Sequence, residues 1–156
     1  MNEPSPGLQG KPFFFDDHIV GAEHAAGSYT VTAQEIIEFA LKWDPQPWHT
    51  DEAVARASHF GGLTACSAHI FSIFCITSQR WQSGVVQQAI AGLGFDEMRM
   101  HSPVYAGDTL RCISIIDTAR VSRSKYQGIF PDGKRSREAR LISAGYRWAP
   151  GKDAQK

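Results

Sequence analysis

Ala68-His69-Ile70-Phe71-Ser72-Ile73-Phe74-Cys75-Ile76-Thr77-Ser78-Gln79-Arg80-Trp81 is the stretch on which the fold turns. Ile70, Phe71, Ile73, Phe74, Cys75 and Ile76 fall on nearly every side of a helix drawn through it. A helix that is apolar all round is a buried helix. Burial of each large side chain there stabilises by about 1.5–3 kcal/mol. The segment is predicted to form the centre of the fold, with a sheet wrapped around it.

The next strongest signal lies upstream. Thr32-Ala33-Gln34-Glu35 has the spacing of a capping box. Ile36, Ala40 and Trp43, with Ile37 and Leu41, follow at helical intervals. Pro45 ends that helix, because the residue before a proline avoids the helical region. Asp44 therefore stands at the helix C-terminus. His49 lies past Pro45 and Pro47 in a stiff loop with few conformations open to it. A carboxylate and an imidazole five positions apart suit acid–base chemistry near neutral pH. The plainer reading of the same residues is a helix-end polar group and a turn residue. Asp51 or Thr50 caps a short helix over Glu52–Arg56, which His59-Phe60-Gly61-Gly62 breaks.

The flanks read as β. Gly27–Val31 is a short strand, and Phe13–Phe15, after a loose arm at residues 1–12, either starts an edge strand or covers part of the core. Val86–Ile90 and Phe95–Met100 are strand-like, with a bend at Gly92 and Gly94. Pro103–Asp108 and Pro131–Gly133 are turns. Thr109–Val121 alternates, and Arg140–Trp148 is a last strand before a polar tail at 150–156. These elements give an α+β layout in one domain spanning residues 1–156.

The composition is that of an ordinary globular chain: 156 residues, 42% hydrophobic and 21% charged. Sixteen basic residues balance sixteen acidic ones. A neutral chain has no bulk attraction to nucleic acid or anionic membrane, and its small charge mildly favours self-association. Cys66, Cys75 and Cys112 form no pattern, and His18, His24, His59 and His101 are dispersed, so no metal set is expected. No secretory signal or apolar run of about 18 residues is visible, so the cytoplasm is the expected compartment.

Three motifs in order carry a family resemblance. Asp44-Pro45-Gln46-Pro47-Trp48-His49-Thr50-Asp51 resembles the hydratase motif Asp-x-Asn-Pro-x-His-x-Asp of the MaoC-like dehydratases and (R)-specific enoyl-CoA hydratases. Ala57-Ser58-His59-Phe60-Gly61-Gly62-Leu63 is similar to the approach to that family's central helix. Met98–Leu110, with Pro103-Val104-Tyr105-Ala106-Gly107-Asp108-Thr109-Leu110, is similar to its Pro-Val-x-x-Gly-Asp-x-Leu signature. Together they span roughly residues 15 to 120, and three motifs in order are far more specific than one. Gln46 stands where the family has Asn. Ser67 stands where it has a glycine whose N–H holds the thioester oxygen. The match fades after Val121, where Tyr126–Arg140 supplies no obvious strand.

The resemblance implies a hotdog fold, an antiparallel sheet around one long helix. It also implies addition or removal of water at the 2,3 double bond of an enoyl thioester, in fatty acid metabolism. Asp44 and His49 would be the acid–base pair. Backbone N–H groups of Ser67 and Ala68 would stabilise the enolate oxygen, as helix N-termini favour anions. Gln46 would orient the pair or substrate, or is a solvated loop amide. Cys75 and Ser72 face inward on the helix, touching the acyl pocket or simply packing. His69 is a substrate contact or a hydrogen-bonded core histidine. Arg99, Arg120, Arg123 and Lys125 could meet coenzyme A phosphates or lie solvated. Asp51 reads as a cap and Asp108 as a structural turn residue.

No cofactor is implied beyond coenzyme A as part of the substrate, and a homodimer or higher homo-oligomer is implied as the working form. Two other readings stand beside this one. A hotdog thioesterase needs a carboxylate near the central helix, where Ser67–Trp81 has none. A non-catalytic acyl-thioester-binding protein is suggested by Ser67 and by the altered C-terminal region.

Overall fold

The computed structural model describes residues 10–80, 84–88, 95, 98–116, 119–121 and 128–129. The chain forms two compact units. One comprises Ser28–Thr77, Met98–Arg111 and Tyr146–Lys156; the other comprises Met1–Gly27, Ser78–Glu97 and Cys112–Gly145.

Of the described candidate residues, Arg120 lies in the second of these units, and the others lie in the first. Its helix α1 (Ala33–Trp43) begins as the sequence predicts. The Thr32 hydroxyl accepts the Glu35 N–H at 3.2 Å, and the Glu35 carboxylate accepts the Thr32 N–H at 3.0 Å. Ile36 and Ala40 are buried, while Leu41 and Trp43 at the other end are exposed. Helix α2 (Pro47–Thr50) is a single turn where a loop is expected. Pro47 explains it, because at the first helical position its missing N–H costs nothing and its fixed φ suits the helix. Helix α3 (Glu52–Ala57) follows at once, capped by Asp51, whose carboxylate accepts the N–H groups of Ala53 at 2.8 Å and Val54 at 3.0 Å.

Helix α4 (Ser67–Ser78) is the predicted apolar helix. Its burial is one-sided rather than all round. His69, Ile70, Ile73, Phe74 and Thr77 are buried. Ser67, Ala68 and Ser72 are exposed, and Phe71, Cys75 and Ile76 are half-buried. Ser72 therefore does not face inward; its hydroxyl donates to the Ala68 carbonyl at 3.0 Å. The core of this unit is Val31, Ile36, Ala55, Leu63, Ala65, Ile70, Ile73, Val104 and Leu110, with Tyr29, Ala33, Ile37 and Trp48 packed on it. Residues from α1, α3 and α4 thus share one core with the segments before and after the Gly-Asp turn.

The second unit is β-rich. Strand β1 (Lys11–Phe13) pairs in parallel with β3 (Val85–Gln87), so part of the predicted arm is ordered into a strand and this pair departs from an all-antiparallel sheet. A Cβ on Gly10 would sit 2.6 Å from the Gly84 carbonyl oxygen, so the approach of these two strands requires glycine there. Phe15–Asp17 is a 3-10 turn, not a strand. Strands β5 (Arg120–Val121) and β6 (Gly128–Ile129) pair antiparallel.

Strand β2 (Glu23–Thr30) pairs with β4 (Thr109–Ile115), and the division between the units passes through both. Met98–Met100, expected to be strand, is irregular. The predicted turn at 131–133, the strand at 140–148 and the tail at 150–156 lie outside the described residues.

Candidate active site

His49 is the third residue of α2 and is 8% exposed. Its backbone N–H donates to the Gln46 carbonyl at 2.9 Å, and the Gln46 N–H donates to the Asp44 carbonyl at 2.8 Å. The Asp44 N–H in turn closes α1 on the Ala40 carbonyl at 2.9 Å. An unbroken series of backbone hydrogen bonds therefore runs from the last turn of α1 to the backbone of His49. Gln46 contributes its backbone to this series; its side chain is exposed and makes no cap bond.

The imidazole is fixed from the other side by Thr64. His49 Nδ1 lies 2.6 Å from the Thr64 carbonyl oxygen and 3.3 Å from its hydroxyl. A carbonyl only accepts, so Nδ1 carries the proton and the neutral ring keeps its lone pair on Nε2. That tautomer is a base at Nε2, and an acid there once protonated. Trp48 and Phe60 flank it: Trp48 lies edge-on to His49 at a centroid distance of 6.2 Å and Phe60 lies 6.4 Å from it, while His59 packs behind them, edge-on to Trp48 at 6.2 Å.

Thr64 is held by the third motif. Thr64 bridges antiparallel to Tyr105, the Ala65 N–H donates to the Val104 carbonyl at 2.8 Å, and the Ala106 N–H donates to the Leu63 carbonyl at 3.3 Å. The Tyr105 hydroxyl donates to the Phe60 carbonyl at 2.8 Å. Asp108 builds the turn as predicted, accepting the Tyr105 N–H on its carboxylate at 2.8 Å and the Val31 N–H on its carbonyl at 3.0 Å. Gly107 sits at φ +92°, where a side chain would be strained. The three motifs are thus one scaffold around His49.

Two residues, Ala65 and Cys66, separate Thr64 from the first residue of α4. Three residue steps span at most about 11 Å, so the helix N-terminus lies within that reach of the group that holds His49. The first bond of α4 is donated by the Ile70 N–H to the Cys66 carbonyl at 3.1 Å. The N–H groups of Ser67, Ala68 and His69 precede it and have no partner within the helix. Ser67 and Ala68 are exposed, so the Ser67 side chain is not packed into the core.

Cys75 is eight residues further on, about 12 Å along the axis. It is half-buried, and burial pushes its thiol above the ordinary value. Arg99 is exposed on the irregular 98–100 segment. Arg123 and Lys125 lie outside the described residues.

His69, expected as a substrate contact or a hydrogen-bonded core histidine, is buried and stacked flat on Phe39, with ring centroids 4.5 Å apart and planes 4° apart, and its Nδ1 meets no hydrogen-bond partner among the described residues. Burial lowers its affinity for a proton, and the Glu35 charge offsets part of that. Glu35 is itself pushed up by burial, but hydrogen bonds from Tyr29 and from the Thr32 N–H and hydroxyl, together with the His69 charge, outweigh this and hold its carboxyl below the usual range.

Sequence reasoning missed Thr64 and Tyr105. A polar residue inside the apolar run Leu63-Thr64-Ala65-Cys66 was the available signal for the first.

A family model for the MaoC like domain matches residues 18–130. The chain belongs to the MaoC-like dehydratase family. Its structural neighbours have the hotdog fold. The MaoC-like dehydratase from Rhodospirillum rubrum superposes with a TM-score of 0.65 at 32% identity, over 73% of this chain and 77% of that one. An (R)-hydratase from A. caviae involved in PHA biosynthesis shares the fold, with a TM-score of 0.53 at 23% identity over 69% of this chain and 77% of that one. The uncharacterized protein YdeM of Bacillus subtilis (strain 168) is 30% identical over 96 residues, 61% of this chain and 67% of its own length. Among the described residues, no helix is long and apolar enough to cross a membrane.

Proposed function

We propose that this MaoC-like protein is a hydratase or dehydratase that adds or removes water across the 2,3 double bond of an acyl thioester of the enoyl-CoA type. The observation that carries the reading is the Nδ1 bond from His49 to the Thr64 carbonyl, which leaves Nε2 as the reactive nitrogen. In hydration, Asp44 orients a water and Nε2 takes one of its protons as the oxygen bonds to the β-carbon. The electron pair of the double bond moves toward the thioester carbonyl, whose oxygen becomes an enolate. The N–H groups of Ser67 and Ala68 at the start of α4 stabilise that oxygen. The imidazolium returns the proton to the α-carbon, and the carbonyl re-forms. Dehydration is the same path reversed.

Family membership and the fold shared with an (R)-hydratase support the reaction class. Arg99, Arg123 and Lys125 are the proposed contacts for coenzyme A phosphates, and a cytoplasmic homodimer is the proposed working form. Purified protein mixed with crotonyl-CoA should lose the enoyl-thioester absorbance without releasing thiol to a colour reagent. Thiol release with the double bond intact would identify a thioesterase instead. Binding without either change would identify a non-catalytic carrier protein.

A further inference from the structure

We propose that the Thr64 hydroxyl is a positioning group for His49, steadying the imidazole while Nε2 carries the transferred proton; this rests on the acid–base reading above. Thr64 is 1% exposed. Its carbonyl already takes the Nδ1–H at 2.6 Å, and its hydroxyl oxygen lies 3.3 Å from the same nitrogen. One residue therefore presents two oxygens to one N–H.

A buried hydroxyl is costly unless its polar atom is met. Among the described residues, its hydrogen bond to Nδ1 is the one this hydroxyl makes. Burial alone does not ask for a hydroxyl at Thr64, because valine has nearly the same shape without the polar group. The chemistry does ask for it. When Nε2 gains a proton, the ring becomes a cation and the charge is shared with Nδ1–H. Hydrogen bonds to a charged donor are about twice as strong as neutral ones, and in a water-poor setting the gain is larger. The hydroxyl thus acts more strongly on the ring after proton transfer than before it. A contact of that kind raises kcat and leaves KM nearly unchanged. The backbone carbonyl cannot be removed by substitution, but the hydroxyl can.

The test is a pair of variants, Thr64→Val and Thr64→Ser, followed by two readouts. Steady-state kinetics on crotonyl-CoA should show kcat lower by about ten-fold in Thr64→Val, with KM within about two-fold, and Thr64→Ser close to wild type. The NMR resonance of the His49 Nδ1 proton, recorded without substrate, should shift in Thr64→Val and return in Thr64→Ser. Should Thr64→Val fail to fold, Thr64→Ala supplies the same contrast against Thr64→Ser. A folded hydroxyl-free variant with wild-type kcat, a change confined to KM, a serine variant as impaired as the valine one, or an unmoved resonance would each overturn the proposal. If the wild type turns over no enoyl thioester yet the resonance responds as stated, the hydratase reading fails while the positioning role stands.

Discussion

At the scale of single residues, the His49 imidazole is held through Nδ1, which lies 2.6 Å from the Thr64 carbonyl oxygen. Asp44 and His49 are recognisable by side-chain type and spacing. The group that fixes the His49 tautomer is a backbone carbonyl fifteen positions away, and a carbonyl has no residue type to read. His69 shows a related limit. Its place on an apolar helix is visible in the sequence, but its stacking on Phe39 and its unmet Nδ1 are set by tertiary packing. The consequence is a pH dependence. Burial holds the folded-state His69 below its ordinary value of 6.5, so the unfolded chain takes up that proton first. The stability it contributes is fully present above about pH 6.5 and declines as the pH falls below it. His69→Phe keeps the aromatic stack and removes the titrating group. Its melting temperature should therefore fall less than that of the wild type between pH 7 and pH 5.5; parallel thermal melts across that range check this, and equal slopes would refute it.

At the scale of elements, local rules read the helices well and the strands poorly. The Thr32–Glu35 box, the stop before Pro45 and the Asp51 cap all depend on neighbours within four residues, so the sequence carries them. The turn of helix at Pro47–Thr50 was hidden because two prolines so close together also fit a loop. Strand β1 finds its partner more than seventy residues away, which no local pattern encodes, and residues 98–100 have strand-like side chains but no strand. Two element-level tests follow. Thr32→Ala removes the cap of α1 and should cost about 1 kcal/mol, lowering the melting temperature of a chain this size by about 2–4 °C. Tyr105→Phe leaves the Phe60 carbonyl without its donor, should cost about 1 kcal/mol in urea unfolding, and should lower kcat by loosening the segment that carries Thr64. A Tyr105→Phe protein with unchanged stability would mean that bond is not holding the scaffold.

At the scale of the whole molecule, three motifs lying between Asp44 and Leu110 converge on one imidazole. The second motif places Phe60 and leads to Thr64, the third clamps Thr64 through Val104 and Tyr105, and Thr64 grips the histidine of the first. Their order in the sequence was readable; their mutual bracing was not, because it is made largely of backbone hydrogen bonds. The proposed homodimer predicts a light-scattering mass near twice that of the 17.2 kDa chain, and a monomeric mass would remove it from the account. The most direct test of the central claim is hydration of crotonyl-CoA by the wild type, Asp44→Asn and His49→Asn, followed by absorbance, with folding checked by circular dichroism. The account predicts turnover in the wild type and a loss of about 10²–10⁴-fold in each folded variant. Undiminished turnover in either folded variant would contradict it.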